Sequence, residues 1–293
     1  MATTFTNTAT LSYNGTSVQS NTAVGAIESV LSVSKNTALQ TYRPGDTITY
    51  VVSIVNNSDT EVTGLTVTDD LGAYIFNTGT VQPLDFIENS AQYYSAGMLQ
   101  AAPAVSTADG LVFSDIAVPA NDSAQLIYQA QVNEFAPLDT GGMLANTVVV
   151  TGTGICDVTA TEAITAATEA VLSVVKSVSP VPVTENGELT FTFQLQNTGN
   201  TAVTAADNAI VSDTFQPVLS DISVTLDGKT LEKGTGYTYD ETTGVFRTAD
   251  GVITIPAATV TQDAATGVWS VQPGVTTLIV TGTVGPACEI TAP

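Results

Sequence analysis

The chain has 293 residues, and its 28 acidic side chains against six lysines and arginines give a formal net charge of −22. Nucleic acid is excluded as a partner, because the chain offers no basic patch to displace counterions from phosphates. The chain has no histidine, which removes the commonest general base and most zinc sites. We therefore expect no enzyme activity beyond, at most, autocatalytic bond formation, and we expect no cofactor and no metal.

Hydrophobic residues make up 43% of the sequence, enough to bury sizeable cores, but helical periodicity is nearly absent. Thr, Val and Ile dominate between Gly, Pro, Asn and Asp, which predicts many short strands and an all-β fold of the sandwich type. No apolar run has the length of a membrane-spanning helix, so we expect no membrane insertion. The N-terminus has no basic region followed by an apolar one, so we expect no signal peptide.

The N-terminal stretch 5–13 alternates between two faces, as a half-buried strand does. One face holds only threonine and serine, and the other holds Phe5, Asn7, Ala9, Leu11 and Tyr13. The stretch ends at Asn14-Gly15, a strong signal for a hairpin turn. A similar pattern recurs at 144–150, again with an inward asparagine, Asn146, and there it closes a long β-rich unit. At the N-terminus the stretch has no such unit before it.

An internal repeat organises the rest of the chain. Val-Leu-Ser-Val-x-Lys at 30–35 recurs at 171–176, about 140 residues later, which is the length of one sandwich domain. Three further pairs of segments match in the same order: 46–57 with 187–198, 65–69 with 209–213, and 126–132 with 278–284. We predict a donor-strand segment at 1–28, a first sandwich at 29–156 and a second sandwich at 157–293.

The two predicted sandwiches differ at their ends. The first continues from Val132 through a loop into the closing strand at Leu144, whereas the sequence stops nine residues after Val284. We therefore expect the second sandwich to lack its last strand, and the spare copy of that strand to lie at the N-terminus.

The repeated motifs resemble a known family. Leu-Ser-Val-x-Lys, Gly-Asp-Thr-Ile-Thr-Tyr, Val-Asn-Asn, Val-Thr-Asp and Asn-Thr-Ala-Thr are similar to two copies of the bacterial conserved-repeat surface domain, the eleventh domain-of-unknown-function family. The resemblance implies two tandem immunoglobulin-like β-sandwiches of a surface or fibre protein. The second unit departs from the pattern at 186–188 and carries a long insert at 227–248. The duplication also resembles the ribbon-appendage subunits of clostridial spores, which implies a place on an extracellular or spore-surface fibre.

The spare strand and the incomplete sandwich predict an assembly. We expect the N-terminal strand to enter the second sandwich of a neighbouring copy by β-augmentation. Because donor and acceptor are different surfaces of one chain, the contact need not close, and the product is a head-to-tail homopolymer. Two local alternatives stay open: the strand folds back onto its own second sandwich, or it adds a strand to the first. In an alternative function the protein is a monomeric adhesin or stalk module that binds an unidentified surface or host ligand.

Two lysines lie on predicted core faces, although lysine is rarely buried unless it is paired. A desolvated lysine that meets an asparagine and a protonated carboxyl group has the parts for an isopeptide bond, and this resembles the internal cross-links of Gram-positive pilus domains. The candidates are Lys35, Asp69 and Asn146 in the first unit, and Lys176, Asp213 and Asn7 of a neighbour in the second. The alternative is a Lys–Asp ion pair at the rim of each sandwich, with the asparagine in local contacts.

The two cysteines occupy related places in the units. Cys156 follows the closing strand of the first unit, and Cys288 follows the last strand of the second. The order of strands in a seven-stranded sandwich would bring Cys288 back towards the junction, so a Cys156–Cys288 disulfide is one candidate. The other candidate is two free thiols or disulfides between neighbouring subunits. Synthesis in the cytosol argues against early oxidation of the thiols.

Overall fold

The computed structural model describes residues 3–108 and 110–286, and the fold there is all-β, as the sequence predicts. The helical element in these ranges is a single 3₁₀ turn at Ala205–Asp207. No helix in the described ranges is long and apolar enough to cross a membrane. The chain divides into two compact units, one of Met1–Pro137 with Met143–Thr165 and one of Leu138–Gly142 with Ala166–Pro293.

A hairpin of two short ladders forms the N-terminal segment. Its strands are β1 (Thr3–Asn7), β2 (Thr10–Tyr13), β3 (Thr16–Gln19) and β4 (Ala23–Ile27). β2 pairs with β3 across Asn14 and Gly15, whose φ angles of 48° and 79° are the positive values that a two-residue hairpin turn requires. β1 pairs with β4, and none of the four strands joins a larger sheet in the described chain. The predicted turn at Asn14-Gly15 is thus confirmed.

The predicted single strand 5–13 is two strands in the structure. Between the two ladders Thr8 and Ala9 lie opposite three residues, 20–22, so one strand carries an extra residue that interrupts the pairing. The Ala9 N–H donates to Ser20 Oγ at 2.9 Å, and the Ser20 N–H donates to the Ala9 carbonyl at 2.8 Å. These two bonds hold the ladders together across the break.

The remainder of the first unit is a sandwich of two antiparallel sheets. Its strands are β5 (Leu31–Thr37), β6 (Thr41–Tyr42), β7 (Thr47–Asn56), β8 (Val62–Asp69), β9 (Tyr74–Phe76), β10 (Gly79–Val81), β11 (Leu84–Phe86), β12 (Gln92–Ser95), β13 (Met98–Leu99), β14 (Ala104–Ser106), β15 (Leu111–Val118), β16 (Ser123–Val132), β17 (Met143–Thr151) and β18 (Val158–Ala166). One sheet has the order β13-β12-β16-β7-β5, with β11 also paired to β16, and the other has the order β14-β15-β8-β17-β18-β6. β9 and β10 form a separate hairpin.

Alternation along each strand builds the core of the first unit. In β7 the side chains of Ile48, Tyr50 and Val52 are buried, and the residues between them lie on the other face. The rings of Phe113 and Tyr128, one from each sheet, lie 5.2 Å apart. The two sheets therefore share one apolar interior.

The first sandwich extends past the boundary at residue 156 that the repeat predicts. β18 pairs with β17 along its length, from Val158 opposite Val150 to Thr165 opposite Met143. This ladder covers the edge of β17, so the compact unit runs to Thr165. The predicted division between 29–156 and 157–293 cuts through this hairpin, because the repeat motifs mark where a unit begins and not where its last strand pairs.

The second unit contains one large sheet and two small ones. Its strands are β19 (Leu172–Ser179), β20 (Glu188–Asn197), β21 (Ser212–Thr214), β22 (Leu219–Leu226), β23 (Lys229–Leu231), β24 (Tyr237–Tyr239), β25 (Val245–Thr248), β26 (Thr259–Gln262), β27 (Trp269–Gln272) and β28 (Gly274–Val284). The large sheet has the order β19-β20-β28-β22-β23, and the small sheets are β21-β25-β24 and β26-β27. Phe215 packs against Phe191 of the large sheet and Phe246 of the small one, which joins the two across a common core.

Candidate functional site

Strand pairing shows which elements of the two units correspond. The order β5-β7-β16 in the first unit matches β19-β20-β28 in the second, and the pair β8-β15 matches β21-β25. In the first unit β8 also pairs with β17 on its other side, from Asp69 opposite Val148 to Thr66 opposite Thr151. β21 pairs with β25 alone in the described chain, so its second edge is open. The described part of the second unit contains no counterpart of β17 or β18.

A groove of about 470 Å³ lies along this open edge. Its walls are β19 and the segment that leads into β21, and its apolar lining consists of Leu172, Val174, Phe193, Leu195, Ala209, Ile210, Val211 and Ile255. Leu172 and Val174 are 52% and 60% exposed, whereas Leu31, the counterpart of Leu172, is 2% exposed. Apolar side chains that form core in the first unit thus face solvent in the second. Burying a fully exposed side chain of this size is worth roughly 1.5–3 kcal/mol, and covering these half-exposed ones gains about half of that before ordering costs.

The side chains of the predicted donor strand are exposed. Phe5, Leu11 and Tyr13 are 51%, 73% and 75% exposed, and Asn7 and Ala9 also face solvent. β1 and β2 pair with β4 and β3 and with no other strand of the described residues. Within the described residues the chain therefore presents an N-terminal hairpin with an uncovered apolar face and, on its second unit, an uncovered apolar groove.

The first unit shows what fills the corresponding place. The inward side chains of β17 are Leu144, Asn146, Val148 and Val150, and all four are fully or almost fully buried. Aligning Asn7 with Asn146 puts Phe5 at the place of Leu144, Ala9 at that of Val148 and Leu11 at that of Val150. Asn-Thr stands at the same point in both strands. The donor pattern therefore matches the strand that closes the first sandwich, residue by residue on its inward face.

A buried ionic cluster lies beneath β17 in the first unit. Lys35 Nζ is 2.6 Å from Asp69 Oδ2, and both side chains are wholly buried. Asp69 also accepts hydrogen bonds from the Tyr128 hydroxyl and, at 2.8 Å, from the Leu71 N–H. Lys35 Nζ lies 4.6 Å from the centroid of the Tyr50 ring. The predicted inward direction of Lys35 and Asp69 is confirmed, and their ion pair is in the core and not at the rim.

Asn146 completes the residues that the sequence places in this cluster. It is wholly buried on β17, and its Oδ1 accepts a hydrogen bond from the Gly72 N–H at 3.2 Å. Its Nδ2 and the Tyr50 hydroxyl make no hydrogen bond of good geometry in the described chain, although Asn146 lies close enough to the hydroxyl groups of Tyr50 and Tyr128 to lower their pKa values in part. Buried polar groups without partners are uncommon and costly, so their presence here calls for a chemical reason.

Burial sets the protonation of the cluster. Desolvation lowers the pKa of Lys35, and the carboxylates of Asp69, Asp70 and Glu162 oppose that shift only in part. Desolvation likewise raises the pKa of Tyr128, and the neighbouring Asp69 charge adds to that shift. A lysine whose pKa is lowered releases its proton more readily, and the neutral amine is the nucleophilic form.

The equivalent pair in the second unit has different surroundings. Lys176 Nζ bonds Asp213 Oδ2, but the two side chains are 40% and 18% exposed. The rings around this lysine belong to phenylalanines, which lack the hydroxyl groups of the tyrosines around Lys35. Lys176 Nζ lies 4.6 Å from the Phe191 centroid and 5.4 Å from those of Phe193 and Phe215. The place of Asn146 would fall on the strand that this unit lacks in the described chain. The sequence repeat therefore located both ion pairs but not the tyrosines, whose inward positions the alternation of β7 and β16 could have indicated.

The predicted cysteine pairing lies partly outside the described residues. Cys156 is exposed in the loop between β17 and β18 and forms no disulfide with another described residue. Cys288 lies outside the described residues, so a Cys156–Cys288 disulfide stays a prediction.

Comparisons with known proteins give a distant structural likeness. No family model and no curated protein matches the chain, so the predicted family membership stays a prediction. The chain is similar to BcpA, the major pilin subunit of Bacillus cereus, at 12% identity over 98% of this chain and 76% of that chain, with a TM-score of 0.34. It is similar to the full-length major pilin SpaD of Corynebacterium diphtheriae at 13% identity over 75% of this chain and 49% of that chain, with a TM-score of 0.33. It is also similar to the sporulation control protein Spo0M of Bacillus subtilis at 9% identity over 58% of this chain and 74% of that chain, with a TM-score of 0.30. At TM-scores this low a likeness carries no argument about function.

Proposed function

We propose that the protein is the structural subunit of a bacterial surface or spore-appendage fibre. Each chain donates its N-terminal strand to the open groove of the second unit of the next chain, and the subunits join head to tail. The observation that carries this proposal is the open edge of β21 beside exposed Leu172 and Val174, at the place where β17 closes the first unit. The fibre lies outside the cell or on the spore surface.

Both surfaces favour strand addition. The open edge of β21 offers unpaired backbone groups, and a strand from another chain satisfies them while its inward side chains enter the groove. Phe5, Ala9 and Leu11 supply the apolar contacts that Leu144, Val148 and Val150 supply in the first unit. Hairpin and groove are different surfaces of one chain, so this contact is heterologous and need not close into a ring.

We further propose that the Lys–Asp–Asn clusters form isopeptide bonds. The neutral amine of Lys35 attacks the side-chain carbonyl carbon of Asn146; the new C–N bond replaces the amide C–N bond, and ammonia leaves. Asp69, 2.6 Å from the amine, takes up the proton of the attacking nitrogen and returns it to the leaving ammonia. The step needs no oxidant, because it exchanges one amide for another. Two observations support it: burial lowers the pKa of Lys35, and the Asn146 side chain is wholly buried with no hydrogen bond of good geometry at Nδ2.

The second unit would form the same bond between chains. Docking of the donor strand in the register of β17 brings Asn7 to the Lys176–Asp213 pair, as Asn146 comes to Lys35 and Asp69. The bond would then link successive subunits, and the fibre would be covalent.

Intact mass tests the cross-links. We expect the purified chain to weigh less than its sequence by one ammonia, and both Asn146→Ala and Lys35→Met to restore the calculated mass. Filaments of the parent chain should release covalent multimers in hot detergent, whereas Asn7→Ala filaments should release monomers. A parent chain with the unshifted mass, in solution and in dissolved filaments, would end the cross-link proposal and leave strand donation intact.

Electron microscopy and sedimentation test the assembly itself. We expect the full chain to form filaments and a chain that begins at Thr16 to remain monomeric. A synthetic peptide of residues 3–27 should bind the truncated chain, and it should stop the growth of parent filaments when it is added in excess. Parent chains that stay monomeric under all conditions would instead favour a monomeric stalk or adhesin module.

A further inference from the structure

We propose that the donated element is the whole N-terminal hairpin, with β4 entering the neighbour's second unit beside β1, as β18 lies beside β17 in the first unit. This inference rests on the proposed function and goes beyond it, because donation of one strand would leave residues 16–27 outside the contact. The occupant is a second copy of this chain.

The hairpin in the first unit is the precedent within the chain. There β17 and β18 pair so that Leu144 lies opposite Ile164 and Asn146 opposite Glu162. In the N-terminal hairpin Phe5 lies opposite Gly25 and Asn7 opposite Ala23. Both hairpins are followed, after a few residues, by the motif Val-Leu-Ser-Val-x-Lys, at 30–35 and at 171–176. The repeat therefore includes two strands before that motif, and not one.

Phe5 and Gly25 stand at the positions of Leu144 and Ile164 in the first unit. Leu144 and Ile164 are 1% and 2% exposed, so both side chains are core. In the free hairpin the Phe5 ring lies across Gly25, where an added Cβ would come within 2.3 Å of the ring. One large side chain thus covers the place of its cross-strand partner, which two medium-sized side chains share in the first unit. The ring keeps its position over Gly25 only if β1 and β4 enter the core together.

The second unit also offers an edge for β4. In the first unit β18 is flanked by β6, and the Thr165 N–H donates to the Gln40 carbonyl at 3.2 Å. The repeat places Val181–Val183 at the corresponding position, and these residues lie outside any strand. Val181 is 76% exposed, and on β4 Val24 and Ile27 are 70% and 64% exposed. Docking of both strands would extend the open edge of β21 by two strands and bring β4 to this segment.

A cross-strand disulfide distinguishes the two modes of donation. Thr6 and Val24 are opposite each other in the β1–β4 ladder, and both lie on the face opposite to Phe5 and Gly25. Residues directly opposite in an antiparallel pair are within the Cα separation that a disulfide spans. We would introduce Thr6→Cys and Val24→Cys together, with Cys156→Ser and Cys288→Ser in the parent chain, and follow filament growth with and without reductant.

We expect the oxidised and reduced chains to assemble within about twofold of the same rate, because the hairpin docks intact. Assembly of the reduced chain with loss of assembly in the oxidised chain would overturn the inference, since β1 would then have to leave β4. Failure of the chain with its own cysteines to form filaments would instead refute the proposed function. A second measurement compares Gly25→Val with Ala26→Val: we expect only Gly25→Val to lose assembly, and equal assembly of both would also overturn the inference.

Discussion

In an Asn146→Ala background, where the proposed cross-link cannot form, replacing Lys35 with methionine lowers the free energy of unfolding of the first unit by about 3–5 kcal/mol, because it leaves the Asp69 carboxylate buried without its cation. Lys176→Met is the matched control in the second unit. That pair is partly exposed, and exposed pairs are worth about 0–1 kcal/mol, so we expect a change of less than about 1 kcal/mol. Hydrogen–deuterium exchange of peptides from β7 and β16, compared with peptides from β20 and β28, measures the two units separately in the full chain.

Two further variants separate the contributions to that loss. Asn146→Ala removes the proposed cross-link but keeps the Lys35–Asp69 pair, so its effect reports the cross-link together with the cavity that the shorter side chain leaves. Lys35→Met with Asp69→Leu removes both charges, and we expect it to recover part of the stability that Lys35→Met loses. Equal effects of Lys35→Met and Lys176→Met would contradict the difference in burial on which this prediction depends.

Leu11→Asp should abolish filament formation at concentrations where the parent chain assembles. Leu11 aligns with Val150, which is fully buried, and an aspartate there must enter the groove either unpaired or protonated. That transfer costs several kcal/mol, and each 1.4 kcal/mol is a factor of ten, so we expect the critical concentration to rise at least about 100-fold. Sedimentation of a dilution series measures the critical concentration directly.

The control for Leu11→Asp is Thr10→Asp, one residue away on the opposite face. Thr10 aligns with Val149, which is half-buried on the outer side of β17. We expect Thr10→Asp to assemble within about threefold of the parent. Both variants should keep the circular dichroism of the parent, since both side chains are exposed in the free hairpin. Loss of assembly in both variants, or in neither, would contradict the inward direction of Leu11 in the docked strand.

The sequence predicted the features that depend on alternation within a strand. A period of two fixes which residues share a face, so the inward directions of Lys35, Asp69 and Asn146 followed without knowledge of the strand order. The turn at Asn14-Gly15 followed from local chemistry, because only a few residues accept two successive positive φ angles. These properties belong to single strands and single turns.

The features that the sequence did not predict depend on which strands pair or pack against each other. The pairing of β4 with β1 leaves a weak pattern, since most side chains of β4 are exposed and Gly25 has none. β18 is rich in threonine and alanine, so the boundary at 156 was placed before it and not after it. The Tyr128 hydroxyl bonds Asp69 on the facing sheet, and the Tyr50 ring lies against Lys35 on the neighbouring strand. A residue's neighbours on another strand are set by sheet topology and not by local spacing.

The N-terminal hairpin and the open groove are unlike surfaces, and this gives any polymer of the chain a direction. In the proposed fibre one end would expose a vacant groove and the other a free hairpin, so the two ends would grow at different rates and would be blocked by different inhibitors. A hairpin peptide would block the first end only, and a truncated chain without residues 1–15 would block the second only. The two ends of each fibre would then bind different partners, one through the groove and the other through the hairpin.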